Sequence, residues 1–312
     1  MRKIIIKIAI LLFLLVAIDR SFDFLFTKVF FEKTISGQAG GTLNYLIQNK
    51  SNVNFLILGT SRAIHQIDPA VVNASSSLGY NAGVDGLGKS VYNKLLLDIA
   101  GGKIHPEIII FQIDVNDYFH QTKLTFDNQL RALYPFYNQS PELRDYLKDA
   151  SFTEKLKLFF HMYRYNGKFY NILFNFAKRK EVGNNSGFIP LNGSIRDTQA
   201  SEAYETKAKN LEIDTNGINA IKQIIEFCNV RKIKLYIVLP PSYNNVWYNR
   251  EKLDIFKKNI QIPNLIDMSD ISQFDNLKIS ENWKDVTHLN NIGAKKFSGY
   301  LRDSLIERNA FN

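Results

Sequence analysis

The run Ile108-Ile109-Ile110-Phe111-Gln112-Ile113 is apolar at all but one position. A strand with one solvated face alternates apolar and polar residues, so a run of this kind belongs to a strand covered on both faces, as at the centre of a parallel sheet. Phe55-Leu56-Ile57-Leu58, stopped by Gly59, and Leu235-Tyr236-Ile237-Val238-Leu239, stopped by Pro240-Pro241, have the same character. Weaker strands are expected near Leu78 to Asn81 and Asn264 to Asp267.

Helical stretches separate these runs. One starts near Asp68-Pro69, where an acidic cap precedes proline at the first helical position. Others run from about Lys89 to Ala100, ended by Gly101-Gly102, from Asn216 to Arg231 and from Asn291 to Arg308. The alternation predicts an α/β fold: a doubly wound, mainly parallel sheet flanked by helices. The stretch from about 118 to 211 breaks the rhythm. It is rich in aromatic and basic residues, as in Phe159-Phe160-His161-Met162-Tyr163-Arg164-Tyr165, with a loop-like Gly183 to Gly187, and reads as an insertion between two halves of one sheet. Its aromatic residues suit packing within the insertion, an acyl pocket or a membrane surface.

At the amino terminus Arg2, Lys3 and Lys7 precede the apolar run Ile8 to Ile18, closed by Asp19 and Arg20. With Lys7 snorkelling, Ile4 to Ile18 is short against the roughly 20 residues of a spanning helix. No small-x-small cleavage site follows, so an uncleaved signal anchor is expected over a cleaved leader or a helix packed on the domain. The leading cations predict a single pass with a cytoplasmic amino terminus and the remainder on the far side, extracytoplasmic. The expected layout is an anchor and membrane-proximal helix over 1–34, a linker over 35–52 and a catalytic domain over 53–312.

Lys and Arg number 39 against 30 Asp and Glu, a net +9, which suits an anionic polymer or lipid surface. No zinc-finger, helix-turn-helix or RNA-binding motif accompanies the charge, so no nucleic-acid partner is expected. Cys228, the only cysteine, has no disulfide or metal-ligand companion and reads as a buried structural thiol. Neither metal nor cofactor is expected.

In open α/β sheets reacting groups gather at the carboxyl ends of the strands. Gly59-Thr60-Ser61-Arg62 follows the first strand, where glycine permits a sharp turn that presents the Ser61 hydroxyl. Serine is a weak nucleophile unless an imidazole takes its proton and a third group fixes the imidazole's tautomer. Asp285-Val286-Thr287-His288 offers both within one turn, before the closing helix. Asp117-Tyr118-Phe119-His120 has the same spacing and is the competing pair. Oxyanion donors are expected from two strand exits: backbone N–H groups of Asn81-Ala82-Gly83-Val84-Asp85-Gly86, and the amide in Asp114-Val115-Asn116-Asp117. Arg62 is a candidate for steering an anionic substrate, or else a solvated or salt-bridged arginine. His65 reads as a surface helix residue.

Taken in order, these blocks resemble the SGNH, or GDSL-type, hydrolases and acyltransferases over about residues 53 to 305. Gly59-Thr60-Ser61 matches the first block, with Thr60 in the usual aspartate position. Gly86 matches the glycine donor of the second, Asn116 the asparagine of the third, where Asp114 replaces a glycine, and Asp285 with His288 the last. The resemblance implies a three-layer sandwich, with Ser61, Asp285 and His288 as catalytic residues and Ser61, Gly86 and Asn116 as the oxyanion hole. It further implies acyl esters of a cell-envelope polysaccharide or glycopolymer as substrate, and a membrane-bound O-acyltransferase as an expected partner. The rival reading is a non-catalytic, polymer-binding subunit of such a complex. The α/β-hydrolase pattern Gly-x-Ser-x-Gly is broken by Ala63.

Overall fold

The structure is a computed structural model that describes residues 1–37, 39–49, 53–73, 79–86, 90–119, 130–178, 186–195 and 211–311. Along the chain come α1 (Arg2–Phe26), α2 (Gly41–Gln48), β1 (Phe55–Leu58), α3 (Ser61–Gln66), α4 (Pro69–Val72), β2 (Gly79–Asn81), α5 (Ser90–Gly101) and β3 (Ile108–Gln112). After β3 follow α6 (Pro141–Tyr146), α7 (Phe152–Phe159), α8 (Phe169–Lys178), α9 (Thr215–Val230), β4 (Lys234–Leu239), α10 (Arg250–Asn259), β5 (Leu265–Asp267) and α11 (Asn291–Glu307).

The chain divides into two compact units: Met1–Gln48 with Asp98–Gly102 and Leu124–Gly183, and the remainder. The second unit holds a five-stranded sheet in the order β2-β1-β3-β4-β5, every pair parallel. β1 and β3 are buried along their whole length, which is why their sequences are unbroken apolar runs. The order turns back between β1 and β3. Crossovers leave these two strands in opposite directions, which opens a crevice at their carboxyl ends. α11 presents Phe297, Leu301 and Leu305, all fully buried, at helical spacing. Each such side chain contributes roughly 1.5–3 kcal/mol of burial. Asn290 caps that helix by accepting the N–H groups of Ile292 and Gly293.

The first unit is built on aromatic packing. Phe26 lies 4.5 Å from Phe169 and 4.8 Å from Tyr165 between ring centroids, and Phe31 lies 5.2 Å from Phe136. Asp19, buried on α1, accepts the N–H groups of His161 and Met162 at 2.9 and 3.0 Å. Asp23 meets His161 Nδ1 at 2.7 Å. The residues expected to form a linker include α2, whose Asn44 donates to the Phe31 and Thr34 carbonyls.

The expected membrane-spanning helix is not found: among the described residues no helix is long and apolar enough to cross a membrane. α1 has 25 residues, but its charge-free run from Ile8 to Ile18 rises only about 16 Å, roughly half a hydrocarbon core. Its side chains from Met1 to Leu15 are exposed.

Candidate active site

β1 gives way to Gly59 at φ +146°, a conformation that side-chain-bearing residues rarely adopt. A Cβ there would lie 2.7 Å from Gln112 Oε1 and 2.8 Å from the Gln112 carbonyl oxygen, so only glycine lets the chain pass the end of β3 so closely. Thr60 then caps α3: its Oγ1 accepts the Arg62 N–H at 3.2 Å and donates to Gln112 Oε1 at 2.9 Å. The Gln112 side chain also accepts the Thr60 N–H at 3.0 Å. Capping and cross-strand bonds together make Ser61 the first residue of a helix that springs directly from the strand.

His288 Nε2 lies 2.8 Å from Ser61 Oγ, across 227 residues of sequence. On the other edge of the ring, Nδ1 lies 2.9 Å from Asp285 Oδ2 and 3.0 Å from Oδ1. A carboxylate can only accept, so Nδ1 carries the proton and Nε2 is left to accept from the serine hydroxyl. Asp285 Oδ1 further accepts the N–H groups of Thr287 and His288 at 2.8 and 2.9 Å and the Thr287 hydroxyl at 2.9 Å. Burial opposes the charge on Asp285, but the bonds from His288 and Thr287 outweigh it and hold the carboxyl far below its ordinary range.

The turn carrying this pair is pinned from several sides. Lys284 N–H donates to the His288 carbonyl at 2.8 Å, and Trp283 and Leu289 form an isolated antiparallel bridge. The fully buried Trp283 donates its indole N–H to the Leu277 carbonyl at 2.7 Å. Gln66, on the last turn of α3, donates to the Thr287 carbonyl at 2.7 Å and so ties the imidazole turn to the serine helix.

The expected oxyanion groups are arranged less simply. Gly86 is exposed, at φ +62°, in the turn after β2. Asn116 follows β3 in a 3₁₀ turn over Val115–Tyr118; its Nδ2 donates to the Trp247 carbonyl at 2.7 Å and its Oδ1 accepts from Lys252 Nζ at 3.2 Å. A primary amide has two N–H groups, so one bond to Trp247 leaves Asn116 a second donor.

One alternative is decided and one expectation needs correction. Of its two readings Arg62 takes the salt-bridged one: it is 3% exposed, ion-paired with both oxygens of Asp114 at 2.7 and 2.8 Å, and donates to the Pro240 and Pro241 carbonyls. A guanidinium enclosed in this way is spent on joining the exits of β1, β3 and β4. His65 is not a surface residue. It lies one helical turn beyond Ser61, buried, with Nδ1 2.7 Å from the Ile189 carbonyl and Nε2 2.7 Å from Asp85. Burial lowers the His65 pKa, but the bonds to Asp85 and Ile189, then the charges of Asp85 and Asp285, bring it above the ordinary value. Acceptors lie against both ring nitrogens, and the ring anchors the residue next to Gly86. Its ring centroid is 6.0 Å from that of His288.

Lys252 also escaped sequence reading. It is 1% exposed, its ammonium bonded to Asn116 and 5.4 Å from the Phe119 ring centroid, and desolvation lowers its pKa. Nothing in Arg250-Glu251-Lys252-Leu253 distinguishes that lysine from a solvated one. His120, the competing imidazole, lies outside the described residues. Among the described residues no cluster of three or more His, Cys, Asp or Glu side chains is arranged to hold a metal ion. No family model matches the sequence, and no curated protein matches it.

Proposed function

We propose that the second unit is an SGNH-type serine esterase or O-acyltransferase that works through an acyl-Ser61 intermediate. One observation carries the reading: the unbroken chain from Ser61 Oγ through both nitrogens of His288 to Asp285, at 2.8 and 2.9 Å. In this mechanism Nε2 of His288 takes the Ser61 proton as Oγ attacks an ester carbonyl. Asp285 holds the tautomer and stabilises the imidazolium that forms. The ester carbonyl oxygen becomes an oxyanion, received by the Ser61 and Gly86 N–H groups and the second N–H of Asn116. His288 returns the proton to the departing alcohol, leaving the acyl group on Ser61. Water or a sugar hydroxyl then enters by the same steps in reverse order.

The substrate class we propose is an acyl ester, acetyl in the simplest case, of a cell-envelope polysaccharide or glycopolymer. The layout of an apolar amino-terminal helix before such a domain is similar to that of the teichoic-acid D-alanylation protein, and a membrane-bound O-acyltransferase is the proposed partner. α1, exposed and apolar on every face from Ile8 to Leu15, supports anchoring by insertion into an envelope membrane. The alternative, a non-catalytic polymer-binding subunit, draws on the commitment of the Asn116 amide to Trp247 and Lys252.

Labelling of the folded chain with a fluorophosphonate, together with hydrolysis of an aryl acetate, tests the proposal. Labelling that disappears in Ser61→Ala is expected. Labelling that persists in that variant, or its absence from the folded parent, rejects Ser61 as the nucleophile. Activity kept in His288→Ala and lost in His120→Ala assigns the base to the competing pair.

A further inference from the structure

In the first unit, three exposed surfaces share one chemistry. α7 carries Phe152, Leu156 and Phe159 on a single helical face, 79, 51 and 50% exposed, while Glu154 and Leu158 face inward. α8 exposes Phe169, Tyr170 and Phe174, with Tyr170 75% exposed and stacked on Phe174 at 6.1 Å. α1 exposes every apolar side chain from Ile4 to Leu15. Small patches are ordinary on soluble proteins, whereas two helices turned apolar side outward beside a third that is apolar all round form a surface that water does not favour.

The three surfaces are continuous. Arg20, at the base of the exposed part of α1, stacks over Phe159 at 5.1 Å, Phe22 stacks with Phe169 at 6.0 Å, and Asp19 fixes the chain between α7 and α8 through the His161 and Met162 N–H groups. The aromatic residues therefore form a collar where α1 leaves the unit. The charges around the collar are sorted as well. Lys157 lies over Tyr163 at 5.5 Å and Lys178 over Phe174 at 4.5 Å. The acids nearby are already engaged: Asp19 with Arg20, Asp23 with His161, and Glu154 with Tyr134 and Lys157. The collar thus presents aromatic faces with cations set among them, and its nearby acids are hydrogen-bonded within the unit. That is the composition of helices lying in an anionic lipid interface with their apolar faces about 5–10 Å deep.

We infer that the outer faces of α7 and α8 form a membrane-interface collar, seated among the headgroups of an anionic bilayer, with the charge-free run Ile8 to Leu15 of α1 in the hydrocarbon beneath. The inference rests on the anchoring role proposed for α1, and it adds what α1 lacks. A helix exposed on all sides is covered completely by lipid, whereas a protein groove covers one side. Seating the collar in the headgroup layer lowers α1 to a depth its short apolar run does not set by itself.

Depth-dependent fluorescence quenching tests this. The full chain is reconstituted into phosphatidylcholine vesicles with a minor fraction of phosphatidylglycerol, the lipids brominated either near the headgroup or near the chain end. Single variants F159W, Y170W and L12W report on collar and helix. The native Trp247 and Trp283 both lie in the second unit and supply the background in the parent chain. The expected result is that F159W and Y170W lose emission mainly to headgroup-side bromine and L12W mainly to chain-end bromine. Quenching of L12W alone overturns the collar and leaves the anchor standing. Blue-shifted emission from F159W and Y170W without quenching assigns the patch to a protein partner and equally overturns it. Parent-like behaviour of all three variants removes both the collar and the anchor.

Discussion

Two turns of this chain begin with the same dipeptide, Asp114-Val115 after β3 and Asp285-Val286 before α11, and they put their carboxylates to opposite uses. The Asp285 side chain is 49% exposed and all its hydrogen-bond partners lie within three residues of it. The Asp114 side chain is 9% exposed and is paired with Arg62, 52 residues earlier. At Asp285 the bonds from His288 and Thr287 outweigh the cost of partial burial, and the half-exposed carboxylate faces its imidazole directly. Removing two charges from water costs several kcal/mol per ion, and the attraction between them must offset that, so a buried pair is committed to holding strands together. The residue type is the same; burial decides whether it stays open to the proposed chemistry or is committed to scaffold.

This contrast is open to direct attack. Under the proposed mechanism the largest expected effect is on ester hydrolysis: Asp285→Asn should lower kcat by roughly 10⁴-fold by disturbing the imidazole tautomer, with little change in stability. Turnover within tenfold of the parent would show that the turn only shapes the backbone. Asp114→Asn should do the reverse in kind. It leaves the Arg62 guanidinium buried without its counter-charge, and urea unfolding should show a loss of about 3–5 kcal/mol. A loss that small surface substitutions also give would mean that solvent reaches the pair. Asn116 lies between the two cases, and Asn116→Ala should reduce kcat by roughly 10²–10³-fold with KM nearly unchanged if its second N–H meets the oxyanion. An effect confined to stability would make Asn116 a bracket for Lys252 and Trp247.

The smallest effect expected concerns His65. Its pKa in the folded chain is raised, so its stabilising contribution is fully present below its unfolded value of about 6.5 and is lost as pH rises through the folded one. Unfolding free energy of the parent should therefore fall from mildly acidic to mildly alkaline pH relative to His65→Gln. A parallel pair of pH curves would rule out a raised His65 pKa.

The legible parts of this molecule are those with short-range physical causes. The apolar runs at Phe55, Ile108 and Leu235 correspond to β1, β3 and β4 because strands buried on both faces need apolar side chains at every position. Ser61, Asp285 and His288 stand out as candidates because a glycine-led strand exit and an Asp-x-x-His turn each lie within four residues, and the structure brings the three side chains together. α3 was missed at its start, since its cap, Thr60, depends on Gln112 as much as on its own neighbours. The burial of Arg62, His65 and Lys252 is not legible for a related reason. A charged side chain announces its type, and only its surroundings reveal whether it is solvated.

What the sequence by itself determined is therefore the alternation that builds a parallel sheet and the local geometry of each strand exit, because periodicity, glycine and capping act over a few residues. Tertiary structure alone decided which exits meet. It brought Ser61 to His288 across 227 residues and closed Asp114 on Arg62. It also turned the apolar sides of α7 and α8 outward beside α1. Burial and long-range pairing are properties of the assembled layers, and no short window of residues contains them.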